Sequence, residues 1–168
     1  MSIKELGDFT RTIGSIASGT RAFVDGPHGV FSPDRHSGPG FVFLAGGVGI
    51  GPIMSMLRTF AARGERRACY LFFGVKRIDE ATFRDEIDRL ATQLALTVSY
   101  VVSDPPAGWT GARGYIDAAV LRRGLPANYQ VLQYFICGPN AMQDALEDAL
   151  GELGVPGGRV HTERFNFV

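Results

Sequence analysis

Seven residues that follow an apolar run have the composition of a phosphate-binding loop. The run 41–45 leads into Gly46-Gly47-Val48-Gly49-Ile50-Gly51-Pro52, where Pro52 begins a stretch with apolar residues at helical spacing. Glycine permits positive φ angles and lets a ligand approach the backbone. The free N–H groups of a first helical turn, with the helix dipole, attract a pyrophosphate group. A tight strand-to-helix connection without a ligand has a similar composition, but the order strand, loop, helix favours a nucleotide site.

Strands and helices alternate through residues 37–168, and this arrangement would position the loop. Apolar runs predict five strands, with helical stripes between them. Asp117 precedes a short helix as an acidic cap. The alternation predicts βαβ units and an α/β fold with a doubly wound, five-stranded parallel sheet. The predicted strands are 41–45, 68–73, 96–102, 131–137 and 159–165, and the predicted helices are 52–62, 81–94, 117–123 and 140–153.

The first 36 residues have a different pattern and predict a separate domain. Residues 6–35 are typical of β structure interrupted by turns, since 21–25 alternate in polarity and Gly26-Pro27 is a turn signal. Residues 33–39 are polar, rich in Gly and Pro, and without periodicity. The sequence therefore predicts two domains, 1–36 and 37–168.

Composition argues against several classes of function. In 168 residues, 17 Lys and Arg balance 17 Asp and Glu, so the net charge gives no electrostatic basis for binding nucleic acid. Cys69 and Cys137 match no metal-ligand spacing and indicate a reducing compartment. No apolar run approaches the roughly 20 residues of a transmembrane helix. We expect a cytoplasmic domain without a metal site, with a membrane-anchored parent protein as an open alternative.

A second motif, Cys137-Gly138-Pro139-Asn140-Ala141-Met142, follows the fourth predicted strand. Together with Gly-Gly-x-Gly-x-x-Pro after the first strand, it resembles the ferredoxin–NADP reductase superfamily. The segments 108–116 and 24–29 are similar to that family's loop after strand three and to the end of its flavin barrel. The resemblance implies strand order 3-2-1-4-5, with residues 1–36 as the remnant of an antiparallel FAD-binding β-barrel. Both motifs would then face the crevice where strand order reverses.

Two shorter segments narrow the resemblance. Residues 4–10 and Glu163-Arg164-Phe165 resemble the ferric reductase and NADPH oxidase branch. This branch implies that electrons pass to a haem, ferric or oxygen acceptor, with a membrane haem domain as a possible partner in the parent protein. Soluble reductases that feed an oxygenase, a ferredoxin or a haem domain are the first alternative. A flavin-free nucleotide-binding regulatory module is the second.

The resemblance also assigns roles to individual residues. The parent protein would pass hydride from NAD(P)H to FAD, with Cys137 beside the nicotinamide as an orienting group and not as a thiolate nucleophile. Phe165 would stack on the flavin ring, and Glu163 would lie near it. Gly138, Pro139 and Met142 would join the glycine loop in binding the nucleotide. The family's Arg-x-aromatic-Ser/Thr flavin motif has no counterpart in the sequence, so we expect an excised fragment that is inactive without the rest of the flavin domain.

The loop after the second strand bears on the choice between NADPH and NADH. Its first charged residues are Lys76 and Arg77. Acidic residues at this position commonly bind a ribose 2′-hydroxyl, whereas Arg accommodates a 2′-phosphate. We therefore expect NADPH to be preferred and NADH to be the alternative. Thr110 and Arg113 are further candidates to flank the nucleotide.

Overall fold

The first compact unit of the chain, Met1–Val30, contains a short helix and no described strand. The computed structural model describes residues 7–23 and 29–164. Helix α1 (Asp8–Thr12) is followed by a 3-10 turn at Ile13–Ser15. The β structure predicted for residues 6–35 is wrong for the described residues 7–23 and 29–35. The backbone N–H and C=O groups of a β-strand must hydrogen-bond to a neighbouring strand. In this region local hydrogen bonds form instead, such as the one that the Gly7 N–H donates to Thr10 Oγ1 at 2.9 Å.

The second unit, Phe31–Val168, is built on one parallel sheet. The order β4-β3-β2-β1-β5-β6 confirms the predicted order 3-2-1-4-5, with one addition. The added strand, β4, is two residues long and pairs with Val101 and Val102. The strands are β1 (Gly40–Gly46), β2 (Ala68–Val75), β3 (Leu96–Val102), β4 (Ala112–Arg113), β5 (Gln133–Cys137) and β6 (Val160–Glu163).

Helices cover both faces of the sheet, which confirms the doubly wound α/β class. On β1, Phe41 and Phe43 face one apolar cluster, and Val42 and Leu44 face the other. Because all four side chains are fully buried, the strand is apolar without alternation, as expected between two helical layers. Helices α2 (Ile50–Arg63) and α3 (Arg84–Gln93) cover the first face, and α4 (Ala118–Gly124) and α5 (Asn140–Glu152) cover the second.

The segment before β1 belongs to this second unit. Phe31 packs edge-on against Phe135, with ring centroids 5.5 Å apart. His36 stacks on His161 at 3.5 Å, and Gln133 donates to the Ser37 carbonyl at 2.7 Å. The chain therefore divides into two compact units after Val30, and the predicted domain boundary after His36 stays a prediction. The assignment of the N-terminal residues to a flavin-binding barrel stays a prediction.

Two helices begin at different residues from those predicted. α2 begins at Ile50 and places Pro52 third, because proline is tolerated throughout a first turn whose N–H groups have no helical partner. α3 begins at Arg84, since Phe83 adopts a left-handed conformation at φ 62°. Helix α4 begins after Asp117, as predicted. None of the helices in the described part of the chain is long and apolar enough to cross a membrane.

Asp117→Ala should lower the free energy of unfolding by about 1 kcal/mol. The Asp117 carboxylate accepts a hydrogen bond from the Val120 N–H at 2.7 Å, and alanine would leave that donor without a cap. Urea unfolding followed by circular dichroism measures the change. Asp117→Asn keeps the acceptor and is the matched control. Equal unfolding free energies for the Ala and Asn variants would contradict the assigned cap.

Candidate functional site

The glycine loop joins β1 directly to α2. β1 ends at Gly46, and Gly47–Gly49 forms a 3-10 turn before the helix begins. Gly47 has φ +53°, and a Cβ there would meet no atom within 4 Å, so glycine is needed for its conformation and the space outside it is open. Val48 is exposed, whereas the Ile50 side chain is buried in the core. Ile50 is predicted to bind the nucleotide, but because its side chain is buried it can contact a ligand only through its backbone.

Gly49 lies against the backbone of the Cys-Gly-Pro turn. A Cβ on Gly49 would overlap the Cys137 carbonyl and would lie 2.7 Å from the Gly138 nitrogen. Real Cβ atoms do not approach backbone atoms this closely. In a close-packed interior, neither of the two backbone segments can shift to relieve the overlap. The absence of a side chain therefore brings the two predicted motifs into direct contact.

Met142 fills the space beside the same contact. A Cβ on Gly46 would overlap the Met142 sulfur and lie 3.3 Å from Pro139, and a Cβ on Gly138 would lie 3.0 Å from the same sulfur. Three glycine positions thus pack around backbone and thioether atoms. Gly46, Gly49, Gly138, Pro139 and Met142 thus form one cluster, where strand order reverses between β1 and β5.

Cys137 ends β5 with its side chain buried. Its neighbours in register are Ala45 on β1 and Glu163 on β6. Burial, with a smaller contribution from the Glu163 charge, raises the pKa of the Cys137 thiol to about 12. The thiol is therefore uncharged at physiological pH and is unsuited to act as a thiolate nucleophile. Cys69 is also buried, in the core around β2, with its pKa raised to about 12 chiefly by burial.

Glu163, the last residue of β6, lies next to Cys137 in the sheet and is half-buried. Its carbonyl accepts a hydrogen bond from Gln143 Nε2 at 2.9 Å. Sequence reasoning missed Gln143, although it directly follows Met142 in the motif and is an amide at a position that the helical pattern assigns to the core. Phe165, the residue expected to stack on the flavin, lies outside the described residues.

The basic turn after β2 lies at the carboxyl edge of the sheet, but its Arg77 side chain is already paired with acidic side chains of the same turn. Arg77 forms two hydrogen bonds with the Asp79 carboxylate, at 3.0 and 2.7 Å, and lies 4.0 Å from Glu80. The Arg77 hydrogen bond holds the pKa of Asp79 below its usual range. The Lys76 carbonyl accepts from the Asp104 N–H at 2.8 Å. A 2′-phosphate at this corner would have to displace a carboxylate, which the sequence analysis did not anticipate.

The loop between β3 and β4 holds the last two predicted residues. Trp109 Nε1 donates to the Ala112 carbonyl at 3.0 Å, and the Arg113 guanidinium donates to the Trp109 carbonyl at 2.6 Å. Thr110 is exposed between them. Because β4 runs parallel to β3, Arg113 lies at the same edge of the sheet as the glycine loop and the basic turn. The described candidates therefore share one edge, where parallel α/β sheets bind their ligands.

Comparison with known proteins agrees with this geometry. Residues 43–148 match the family model described as the oxidoreductase NAD-binding domain. The chain belongs to the oxidoreductase NAD-binding domain family. The matched residues include the glycine loop, the basic turn and the Cys-Gly-Pro turn, all of which lie at the carboxyl edge of the sheet.

Individual relatives of this NAD-binding domain place it in the ferredoxin–NADP reductase superfamily, as predicted. It is 34% identical over 152 residues to ferredoxin–NADP reductase B of Sorangium cellulosum, covering 84% of this chain and 60% of the relative. It is 28% identical to NADH-cytochrome b5 reductase 1 of Cryptococcus neoformans, covering 92% of this chain and 56% of that protein. The chain thus spans 60% or less of these two relatives.

A solved structure shows the same fold for the NAD-binding domain. The cytochrome b5 reductase domain of Ulva prolifera nitrate reductase superposes with a TM-score of 0.83 at 22% identity, covering 94% of this chain and 64% of that one. The open space outside Gly47 and the N–H groups at the start of α2 fit a pyrophosphate, in agreement with the family. By contrast, the described residues 7–23 form no barrel that would hold a flavin.

Gly49→Ala should lower the free energy of unfolding by about 3 kcal/mol or more, because the new methyl group would overlap the Cys137 carbonyl and neither backbone can yield cheaply. Gly51→Ala is the matched control: its Cβ would meet no atom within 4 Å on the helix α2, so helix propensity predicts a gain of about 0.5–1 kcal/mol. Chemical denaturation measures both. If Gly49→Ala were as stable as Gly51→Ala, the backbone contact between the two motifs would be wrong.

Proposed function

We propose that this chain is the NAD(P)H-binding part of a flavin-dependent oxidoreductase that passes hydride from NAD(P)H to FAD. The contact of Gly49 with the Cys137–Gly138 backbone carries the proposal. This contact joins a pyrophosphate-binding loop to a turn with a neutral, buried thiol at the reversal of strand order. Both family and geometry support a dinucleotide lying across this crevice.

The residues of the chain act by binding and orientation. The N–H groups at the start of α2 bind the pyrophosphate, and Gly46 and Gly47 let it approach the backbone. Met142, which is partly exposed, offers an uncharged, polarisable surface to the nicotinamide ring. Cys137 is buried at the end of β5, directly before the Gly138–Pro139 turn, and would lie beside the ring when the nucleotide is bound. An uncharged thiol neither attacks the ring nor takes up a proton from it, so Cys137 acts by placing the reacting carbon.

The flavin belongs to a domain that the described residues do not form. When bound, FAD accepts the hydride and releases its electrons singly or in pairs to an acceptor. We assign residues 1–36 to the edge of this flavin domain, because the two relatives are longer than this chain and residues 24–29 resemble the end of a flavin barrel. By the resemblance, Phe165 would stack on the flavin ring, and Glu163 would lie near it.

Two forms of this proposal differ in the electron acceptor. The segments 4–10 and 163–165 favour a haem, ferric or oxygen acceptor of the ferric reductase and NADPH oxidase kind, with a membrane haem domain in the parent protein. The names of the relatives, a ferredoxin–NADP reductase and an NADH-cytochrome b5 reductase, favour transfer to a separate carrier protein. In either form we propose that this domain is cytoplasmic, where NAD(P)H is available.

Flavin reduction in the protein that includes the flavin domain tests the proposed function. Stopped-flow mixing with saturating NADPH or NADH should bleach the flavin, and Cys137→Ala should slow this step by about 100-fold, since a misplacement near 1 Å can cost that much. Nucleotide affinity should change little, because pyrophosphate and adenosine contacts lie elsewhere. Cys69→Ala, in the core, is the control. If Cys137→Ala reduced the flavin at the full rate, the proposed position of the nicotinamide beside Cys137 would be wrong.

Coenzyme choice should depend on Arg77 and its partner. The Arg77–Asp79 pair is exposed, and water screens exposed pairs, so a doubly charged 2′-phosphate can replace the carboxylate. Arg77→Ala should weaken NADP⁺ binding by about tenfold and leave NAD⁺ binding within about twofold. Asp79→Asn should strengthen NADP⁺ binding, and Arg89→Ala, on the exposed side of α3, should change neither. Calorimetric titration measures the NADP⁺ and NAD⁺ affinities of all three variants. Equal NADP⁺ and NAD⁺ affinities in the unsubstituted protein would remove the basis for an NADPH preference.

A further inference from the structure

Gln143 is a fully buried polar residue with no part in the chemistry described so far. It lies in the first turn of α5, which begins directly after the Cys-Gly-Pro turn. Its Nε2 donates to the Gly138 carbonyl at 2.8 Å and to the Glu163 carbonyl at 2.9 Å. A primary amide has two N–H hydrogens. Both are therefore used, and they bind the ends of two different strands.

The two carbonyls lie where β5 and β6 stop pairing. The last residues in register are Cys137 and Glu163. Beyond the last pair of a parallel ladder, buried carbonyls need donors from another source. The Gln143 amide supplies them, so one side chain continues the pairing past the point where the backbone ladder ends. This holds the two strand ends at a fixed separation.

The other polar atom of Gln143 carries an energetic cost. Its Oε1 is buried and has no hydrogen-bond partner among the residues that the structure describes. A buried acceptor without a partner is unfavourable. A methionine of similar volume would avoid that cost but would leave the Gly138 and Glu163 carbonyls without donors. The requirement that glutamine meets is therefore the simultaneous hold on two carbonyls.

The same helix also holds the residue after Glu163. The Arg164 guanidinium pairs with Asp144 at 2.8 Å and with Glu147 at 3.1 Å. These ion pairs are exposed and are screened by water. Gln143 thus provides the buried contact at the end of β6, and the ion pairs reinforce it from the surface.

We propose that Gln143 is a positioning residue for hydride transfer, which fixes the Glu163 main chain beside Cys137 and so sets the geometry of the nicotinamide end of the crevice. The inference rests on the proposed function. Both N–H groups of Gln143 are bound to the Gly138 and Glu163 carbonyls, so its effect passes through these two residues. Near-attack geometry is sensitive to shifts near 1 Å. Losing the two hydrogen bonds should therefore act on rate and not on affinity.

Gln143→Met in the protein that includes the flavin domain tests this role. Flavin reduction at saturating nucleotide should slow by at least about tenfold, while the nucleotide Kd stays within about twofold. Gln130→Met is the matched control. The Gln130 amide also donates to a backbone carbonyl, that of Leu153 at 3.1 Å, but at the far end of α5. It should leave both rate and affinity unchanged.

The outcomes separate this inference from the proposed function. An unchanged rate in Gln143→Met, or a rate that falls only in step with affinity, overturns the positioning role. A rate that falls equally in Gln130→Met assigns the effect to α5 as a whole and also overturns it. Failure of both NADPH and NADH to reduce the flavin in the unsubstituted protein overturns the proposed function itself.

A second measurement needs no variant and applies even where Gln143→Met fails to fold. Nuclear magnetic resonance of the unsubstituted protein follows hydrogen exchange at the side-chain amides. The two Gln143 protons should exchange far more slowly than those of Gln93, which is exposed at the end of α3. Exchange at the Gln93 rate would show that the amide does not hold the two carbonyls and would overturn the inference.

Discussion

Everything at the proposed nucleotide site depends on the approach of two backbones, at Gly49 and at Cys137–Gly138. β1 and β5 are neighbours in the sheet, with Ala45 opposite Cys137. Their following loops turn toward opposite faces, because α2 covers one side and α5 the other. A side chain at Gly49 would force the loops apart. The contact therefore fixes the width of the crevice, and the buried β1 strand provides the rigid base from which both loops leave.

Much of the fold follows from hydrophobic pattern alone. Residues 41–45 are continuously apolar because they lie between two layers of helices, and the alternation with helical stripes leaves few other topologies. The strand β4 could not be predicted in this way, since two residues are too few to show a hydrophobic pattern. The left-handed turn at Phe83 is equally hidden, because a positive φ in a bulky residue depends on packing and not on local propensity.

At the site, the sequence indicates the local motifs but not the side-chain contacts. Glycine at positions 46, 49 and 138 is consistent with a ligand loop or a tight turn. Only the structure shows that Gly49 lies against the Cys137 backbone and that Gly46 and Gly138 lie against Met142. The pairing of Arg77 with Asp79 does not follow from the sequence, since it depends on the conformation of the turn. Gln143 looked like an ordinary helix residue. Its two acceptors come from positions 138 and 163, and the second is brought near only by the pairing of β5 with β6.

The sheet ends on short strands, with consequences for self-association. The strand order leaves β4, of two residues, and β6, of four residues, at the edges. An edge strand offers unpaired N–H and C=O groups to a strand of another molecule, and long flat edges promote aggregation. At β4 only Ala112 and the charged Arg113 are available, and the Arg113 side chain is turned back to the Trp109 carbonyl. Within residues 7–23 and 29–164, both edges are therefore short, and this limits the unpaired backbone that another molecule could extend into an intermolecular sheet.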